Sequence, residues 1–129
     1  MTFRKALSRA RPYSLLSEDK LRVIFDLAQS TSGLEGDLAE LGVYMGGTAI
    51  LMLLAAPEAT IRLFDTFCGI PKDKCDPAID RHVAGEFAFG LSGITQRFSE
   101  IGRAETYPGI FPKSAKGARD SRFRLVHLD

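Results

Sequence analysis

The sequence has few of the residues that build metal sites or disulfide scaffolds. Its 129 residues include two cysteines and two histidines. Cys68 and Cys75 match neither the spacing of a zinc site nor that of a redox CxxC motif, so we expect two reduced thiols. His82 and His127 lie far apart and form no HExxH pattern, so short-range spacing predicts no zinc centre. A chain of this length can instead be stabilised by one hydrophobic core.

An excess of charge of one sign and a long apolar run are also missing. Seventeen basic residues oppose 16 acidic ones, giving a net charge of +1, and this balance does not favour nucleic acid as a partner. The longest apolar run, Ala49 to Pro57, is shorter than the roughly 20 residues that span a bilayer. The basic start has no apolar stretch after it, as a signal peptide requires. We expect a cytoplasmic protein without a membrane partner, and the acid-free, arginine-rich start leaves a transit peptide open as an alternative.

The composition and patterning predict one α/β domain. The chain is 45% hydrophobic and 26% charged, which excludes disorder and collagen. Residues 1–16 are predicted to be a basic, irregular arm broken by Pro12. An amphipathic helix is predicted from the N-cap Ser17 to Gly33, and alternating strands and helices follow it. The predicted strands are 37–41, 61–65, 104–107 and 122–129, and the predicted helices are 48–56, 79–89, 94–99 and 114–119. This alternation predicts a parallel sheet whose ligands bind beyond the carboxyl ends of the strands.

A glycine-rich turn follows the first predicted strand, in the stretch ELGVYMGGT at residues 40–48. Three kinds of nucleotide site fit such a turn. A dinucleotide fingerprint is disfavoured because Tyr44 stands where the middle glycine belongs, and a P-loop is disfavoured because Thr48 replaces its lysine. An S-adenosylmethionine site remains, in which the acidic Glu40 meets the ammonium group of the methionine.

Asp65 closes the second predicted strand, 18 residues after Gly47. A carboxylate at that place and distance is the usual partner of the ribose hydroxyls of a nucleotide. The plainer alternatives are a strand-end salt bridge for Glu40 and a helix-capping or turn-forming role for Asp65. For His127, which shares a strand face with Phe123 and Leu125, we expect a core or supporting role rather than that of a base.

Several stretches between about Tyr13 and Asp129 match the pattern of one enzyme family. Residues 36–48 read GDLAELGVYMGGT, similar to GDLVECGVWRGGS, and residues 63–71 read LFDTFCGIP, similar to LFDSFEGLP. Shorter likenesses are His82, Gly85 and Phe87 to a spaced H..G.F, residues 109–112 to the start of G.FP.T, and residues 125–129 to the start of HLDxDLY. On these motifs the chain resembles the macrocin O-methyltransferase family, S-adenosylmethionine-dependent enzymes that methylate sugars on macrolides and related natural products.

The resemblance implies a Rossmann-like class I methyltransferase sheet with a cofactor site at its strand ends. Asp65 would hold the ribose, and Phe67 and Ile110 would flank the adenine. Asp129 matches a carboxylate that helps bind Mg²⁺ near the acceptor hydroxyl, so we predict it as both catalytic residue and metal ligand. The predicted cofactor-binding residues are Glu40, Gly42, Val43, Tyr44, Gly46, Gly47, Thr48, Asp65, Thr66, Phe67, Gly109 and Ile110.

The chain departs from that family at its carboxyl-terminal end. The family's sheet has seven strands, whereas this sequence supplies the first four, and the second aspartate and the tyrosine of HLDxDLY are absent, as is a later acidic pair. Cys68 also stands where the family commonly has an acidic residue. We therefore expect residues 17–129 to be the N-terminal, cofactor-binding half of a truncated or incompletely sequenced methyltransferase. Its last strand would be a bare sheet edge with Val126 and Leu128 exposed.

The function implied is transfer of a methyl group from S-adenosylmethionine to a hydroxyl of a sugar or another natural product, assisted by Mg²⁺ in the complete enzyme. The expected partner is therefore a small-molecule acceptor, and a homo-oligomer stays open. Two alternatives also stay open. One is a non-catalytic half-domain that binds S-adenosylmethionine or S-adenosylhomocysteine, and the other is an NAD-binding oxidoreductase domain, which Tyr44 disfavours.

Overall fold

The described residues of the protein form one parallel sheet of four strands. The computed structural model describes residues 1–67 and 90–129. Within them the strands are β1 (Asp37–Leu41), β2 (Thr60–Asp65), β3 (Arg103–Pro108) and β4 (Phe123–Leu128). Their order across the sheet is β3-β2-β1-β4, and all three pairings are parallel. The predicted α/β class is confirmed, and the order reverses between β1 and β4, which is where open sheets of this kind bind ligands.

In the part of the chain that the structure describes, four α-helices and two short 3₁₀ helices accompany the sheet. They are α1 (Phe3–Ala10), α2 (Glu18–Ser30), α3 (Gly47–Ala55), α4 (Leu91–Phe98) and the 3₁₀ segments Arg11–Tyr13 and Lys113–Ala118. Ser17 caps α2 as predicted, because its Oγ accepts a hydrogen bond of 3.3 Å from the Lys20 amide. The helix predicted at 79–89 lies outside the described residues. The helix predicted at 94–99 starts earlier, at Leu91, and the one predicted at 114–119 is 3₁₀.

The prediction that residues 1–16 form an irregular arm is wrong. Thr2 caps α1, since its side chain accepts from the Lys5 amide at 3.3 Å. One face of this helix is buried, and its residues follow helical spacing: Phe3, Ala6, Leu7 and Ala10. The basic residues that dominate the composition of this stretch lie mostly on the opposite, exposed face. Pro12 lies within the 3₁₀ segment that continues α1 rather than ending all regular structure.

The two faces of the sheet are covered unequally. All nine residues of α3 are buried, as expected for a helix that is apolar all round. Helices α1 and α2 pack on it, and α3 in turn contacts β1 and β2, so one large core fills this side. The opposite face has a small cluster around Ala39, Phe64 and Ala118. Strand β4 is a sheet edge as predicted, with Val126 46% and Leu128 71% exposed.

None of the helices within residues 1–67 and 90–129 combines the length and apolar character needed to cross a bilayer.

Candidate functional site

Three carboxylates meet at the carboxyl-terminal edge of the sheet. Glu40 is the last residue but one of β1, Asp65 ends β2, and Asp129 directly follows β4. Because β1 lies between β2 and β4, the three strand ends are neighbours. The sequence prediction that these residues share one edge is confirmed. Glu40 differs from the other two because its side chain is completely buried.

The turn after β1 depends on backbone conformations that favour glycine. Gly42 has φ +86° and Gly46 has φ +90°, and Tyr44 between them has φ +53°. A side chain at Gly42 would also crowd the end of β4, because its Cβ would lie 3.3 Å from the backbone oxygen of Asp129. Gly42 therefore permits both the turn and the close approach of the neighbouring strand.

Asp65 holds this turn in place. Its Oδ2 accepts hydrogen bonds from the Val43 amide at 2.6 Å and the Tyr44 amide at 3.2 Å. Its Oδ1 accepts from the Phe67 amide at 3.2 Å and the Thr66 hydroxyl at 3.3 Å. The carboxylate thus links the ends of β1 and β2, which is the turn-forming alternative of the sequence analysis. Its predicted contact with a ribose stays a prediction.

Gly46 and Gly47 make room for other parts of the protein. A Cβ on Gly47 would lie 2.5 Å from the backbone carbon of Tyr13 and 2.6 Å from the carbonyl oxygen of Ala10. A Cβ on Gly46 would lie 3.1 Å from the side chain of Ile94. The space beside these glycines is thus filled by the chain's own backbone and by α4, and their predicted contact with the cofactor stays a prediction.

A small cleft opens beside the glycine turn. It has a volume of about 140 Å³ and is lined by Tyr13, Ser14, Leu15, Leu16, Val43, Tyr44, Thr48 and Asp129. Four of these lining residues were predicted to belong to the site: Val43, Tyr44, Thr48 and Asp129. The sequence analysis missed the segment 13–16, which has no periodic pattern of its own. Its Ser14 hydroxyl lies 3.2 Å from the hydroxyl of Thr48, which ties the segment to the start of α3.

Glu40 has one neighbour that the sequence analysis did not pair with it. The strands β1 and β4 are in a register that places His127 opposite Glu40. The His127 Nδ1 lies 2.7 Å from Glu40 Oε2. The other carboxylate oxygen, Oε1, is buried and has no hydrogen-bond partner among the described residues. This contact matches the plainer alternative for Glu40, a strand-end salt bridge, and the supporting role expected of His127 stays a prediction.

Burial and charge change the acid–base behaviour of this pair. Burial raises the pKa of Glu40 to about 7, although the hydrogen bond and charge of His127 oppose the rise and the charges of Asp129 and Asp65 add to it. The hydrogen bond to Glu40 raises the pKa of His127 above its usual value, with burial acting against it and the charges of Glu40 and Asp129 adding to it. The ionisation of each group therefore depends on that of the other.

The remaining predicted residues lie at the ends of β2 and β3. Gly109 follows β3 with φ +127°, and its amide donates to the Asp65 carbonyl at 3.0 Å. Ile110 is 61% exposed and so is available to a ligand. Phe67, the other residue predicted to flank an adenine, is only 6% exposed and belongs to the large core.

The described residues do not assemble a metal centre. In the part of the chain covered by the structure, no three histidine, cysteine, aspartate or glutamate side chains are grouped so that they could hold a metal ion. Mg²⁺ prefers several oxygen ligands in octahedral geometry, and Asp129 by itself does not supply them. The role of Asp129 as metal ligand stays a prediction.

The order of the strands and the position of the glycine turn define a class of fold. An open parallel sheet with a strand order that reverses beside β1, and with a glycine turn and acidic residues at its carboxyl edge, is a Rossmann-like α/β domain. The sequence model of the macrocin-O-methyltransferase (TylF) family matches residues 12–105. The chain belongs to this family, which confirms the resemblance seen in its motifs.

Two individual proteins are similar to the chain over most of its length. It is 32% identical over 112 residues to the 8-demethyl-8-(2,3-dimethoxy-alpha-L-rhamnosyl)-tetracenomycin-C 4'-O-methyltransferase of Streptomyces olivaceus, an alignment covering 75% of this chain and 43% of that protein. Its fold is similar to the crystal structure of the calicheamicin methyltransferase CalS11, with a TM-score of 0.58 and 17% identity, covering 91% of this chain and 55% of that one. The chain thus spans about half the length of these relatives.

Proposed function

We propose that the protein forms the cofactor-binding part of an S-adenosylmethionine-dependent O-methyltransferase. The acceptor that we propose is a hydroxyl group of a glycosylated natural product, in line with the names of the relatives. Location in the cytoplasm and assembly into a homo-oligomer stay predictions. The observation that supports the cofactor assignment most directly is the buried Glu40, which lies beside the glycine turn and has one carboxylate oxygen without a partner among residues 1–67 and 90–129.

The charge at this edge favours a cationic ligand group. Glu40, Asp65 and Asp129 lie at neighbouring strand ends, and a pyrophosphate placed among them would be repelled. The ammonium group of a methionine zwitterion instead provides donors and a positive charge for the unpartnered oxygen of Glu40. This argument favours S-adenosylmethionine over NAD and over a nucleoside triphosphate.

The described residues mainly bind and orient. Glu40 would accept from the ammonium, and the turn held by Asp65 would present its backbone to the rest of the cofactor. S-adenosylmethionine, when bound, supplies a methyl group on a sulfonium, so the sulfur takes the bonding electron pair as the acceptor oxygen bonds to the methyl carbon. Such a transfer needs chiefly alignment of the two reactants. Asp129, in the cleft wall, would take the hydroxyl proton as a general base, and no step is assigned to Mg²⁺.

Calorimetric titration with S-adenosylhomocysteine tests the cofactor assignment. The wild-type protein should bind it, and Glu40→Gln should bind it about 100-fold more weakly, because the substitution removes the charge that meets the ammonium. Glu35→Gln is the matched control, since Glu35 has a side chain that is 90% exposed and precedes β1 at the opposite edge. Equal affinity of wild type and Glu40→Gln, or tighter binding of NAD than of S-adenosylhomocysteine, would contradict the proposal.

A second measurement separates an enzyme from a binding module. Wild-type protein is supplied with S-adenosylmethionine and a panel of rhamnosylated natural products, and methylated glycosides detected by mass spectrometry would show that it transfers the methyl group as well as binding the cofactor. Binding of the cofactor without any transfer across the panel would favour the non-catalytic half-domain.

A further inference from the structure

We propose that His127 is a positioning residue for cofactor binding: it holds one oxygen of Glu40 so that the other faces the ammonium group of the ligand. The inference rests on the proposed function, because it assigns a task to a residue that does not itself touch the cofactor. It starts from the hydrogen bond of 2.7 Å between His127 Nδ1 and Glu40 Oε2.

The two residues are brought together by the sheet and not by flexible loops. Parallel pairing of β1 and β4 sets Glu40 opposite His127, and the pairing continues past them, since the Asp129 amide donates to the Leu41 carbonyl at 3.0 Å. The histidine side chain is four-fifths buried and the glutamate side chain entirely so. A donor fixed on a neighbouring strand therefore restricts the rotation of the carboxylate about its last side-chain bond.

Glu40 keeps one of its carboxylate oxygens out of its pair with His127. Buried carboxylates are normally hydrogen-bonded at both oxygens, because an unpaired buried acceptor loses its hydration without compensation. Glu40 Oε1 is buried and has no partner within the described ranges 1–67 and 90–129. Since His127 engages only Oε2, the pair keeps the second oxygen for a group from outside the protein. A ligand that brings a positively charged donor accounts for both features.

The choice of histidine over arginine or lysine follows from the same geometry. An arginine opposite Glu40 would bind both carboxylate oxygens through its two-pronged guanidinium, and it would place a permanent positive charge where the ammonium has to enter. An imidazole presents one donor to Glu40 from Nδ1. Histidine therefore fixes the orientation of the acid while leaving its second oxygen for the ligand.

Three substitutions at His127 distinguish positioning from general support of the fold. Asn places an amide N–H close to the position of Nδ1, Gln places it one bond further along, and Leu has no donor. Two ligands are compared by calorimetry: S-adenosylhomocysteine, and 5′-methylthioadenosine, which has the same nucleoside without the amino-acid part. Circular dichroism and urea unfolding accompany each titration to establish the fraction folded.

We expect His127→Leu and His127→Gln to bind S-adenosylhomocysteine about 10- to 100-fold more weakly, the effect of losing one hydrogen bond to a charged group. His127→Asn should recover most of that affinity, to within about five-fold of wild type, because its amide is placed to donate to the same oxygen. All three variants should bind 5′-methylthioadenosine within about two-fold of wild type. Should His127→Leu not fold, the contrast between Asn and Gln carries the test.

Equal losses for both ligands, or equal affinities of the Asn and Gln variants for S-adenosylhomocysteine, would overturn the positioning role and leave the proposed function standing. A wild-type protein that binds neither ligand would overturn the proposed function and this inference with it.

Discussion

Acidic residues at the amino-terminal ends of the strands have different partners from those at the carboxyl-terminal ends, which are called here the two edges of the sheet. Toward the amino-terminal edge, acids are paired with arginines: Asp37 with Arg62 at 2.7 Å, and Glu58 with Arg124 at 2.6 Å. At the carboxyl-terminal edge, none of the ion pairs of the described residues joins Glu40, Asp65 or Asp129 to an arginine or a lysine.

This difference separates charge that supports the fold from charge that we assign to the proposed ligand. An acid with an arginine partner gains from ionisation, and the pKa of Glu58 is accordingly lowered, chiefly by its hydrogen bond from Arg124. Burial instead raises the pKa of Glu40 to about 7. The protein therefore holds at its carboxyl edge a carboxylate whose ionisation opposes folding, and a cationic ligand would relieve that cost.

The largest expected effect is a difference in the pH dependence of stability. Because the folded-state pKa of Glu40 is raised from 4.5 to about 7, the folded protein binds this proton more tightly than the unfolded chain. The stabilisation that protonated Glu40 provides is therefore lost as pH rises from 4.5 to about 7. The raised pKa of His127 has an effect of the same sign, which begins above its unfolded value of about 6.5. From pH 5 to pH 8, Glu40→Gln should gain about 2 kcal/mol relative to wild type in urea unfolding.

The acid at the other edge provides the control. Glu58 has a lowered pKa, so its stabilising contribution is present above about pH 4.5 and is lost as pH falls. Glu58→Gln should lose stability relative to wild type as pH rises from 3 to 6, the opposite sign to Glu40→Gln. Parallel pH profiles for wild type and Glu40→Gln would remove the contrast between the edges.

A smaller effect is expected at Arg124, whose side chain is only 5% exposed. Besides its ion pair with Glu58, it donates to the carbonyl of Leu34 at 3.3 Å. Arg124→Met keeps most of the buried apolar stem but loses both hydrogen bonds, so unfolding free energy should fall by about 1–2 kcal/mol. Affinity for S-adenosylhomocysteine, measured on the folded protein, should stay unchanged. A large loss of affinity would show that the two edges are not independent.

The smallest effect should follow from breaking the pair of Arg122 and Glu35. Their charged atoms are 3.7 Å apart, and their side chains are 84% and 90% exposed. Solvent screens such a pair, so Arg122→Ala should change the unfolding free energy by less than about 0.5 kcal/mol. A loss as large as that of Arg124→Met would mean that exposure does not govern the contribution of arginine pairs at this edge.

Local patterns were sufficient to predict the framework of the site. The strand 37–41, the glycine turn and the acid at the end of β2 each have a signal within a few residues, and all three are where the sequence placed them. Helix α1 was missed although its buried residues have helical spacing. The many basic residues of this stretch favoured the prediction of an irregular arm, because the apolar pattern of the helix is weak and consists of alanines and only two large side chains.

The parts that were not predicted depend on contacts between distant residues. The cleft wall formed by Tyr13–Leu16 has no local signal, because its position is set by the close crossing over Gly47. The pairing of Glu40 with His127 depends on the register between β1 and β4, which a single sequence does not specify. The bonds of Asp65 to the turn were anticipated only as one alternative among two, since a carboxylate at a strand end suits either role.

The pairing of the first strand with the fourth also has a consequence for the timing of folding. Glu40 and His127 are 87 positions apart in the chain, so the loop between them must close before their hydrogen bond can form. Closing such a long loop is entropically unfavourable, and the contact stabilises the protein only after the loop has closed. Contacts of this range therefore typically form slowly. During synthesis on the ribosome, the glycine turn and the acid at the end of β2 leave the exit tunnel well before β4 does. The pair of Glu40 and His127 therefore forms only after β4 has emerged and docked, and binding of the proposed cofactor would report that late step.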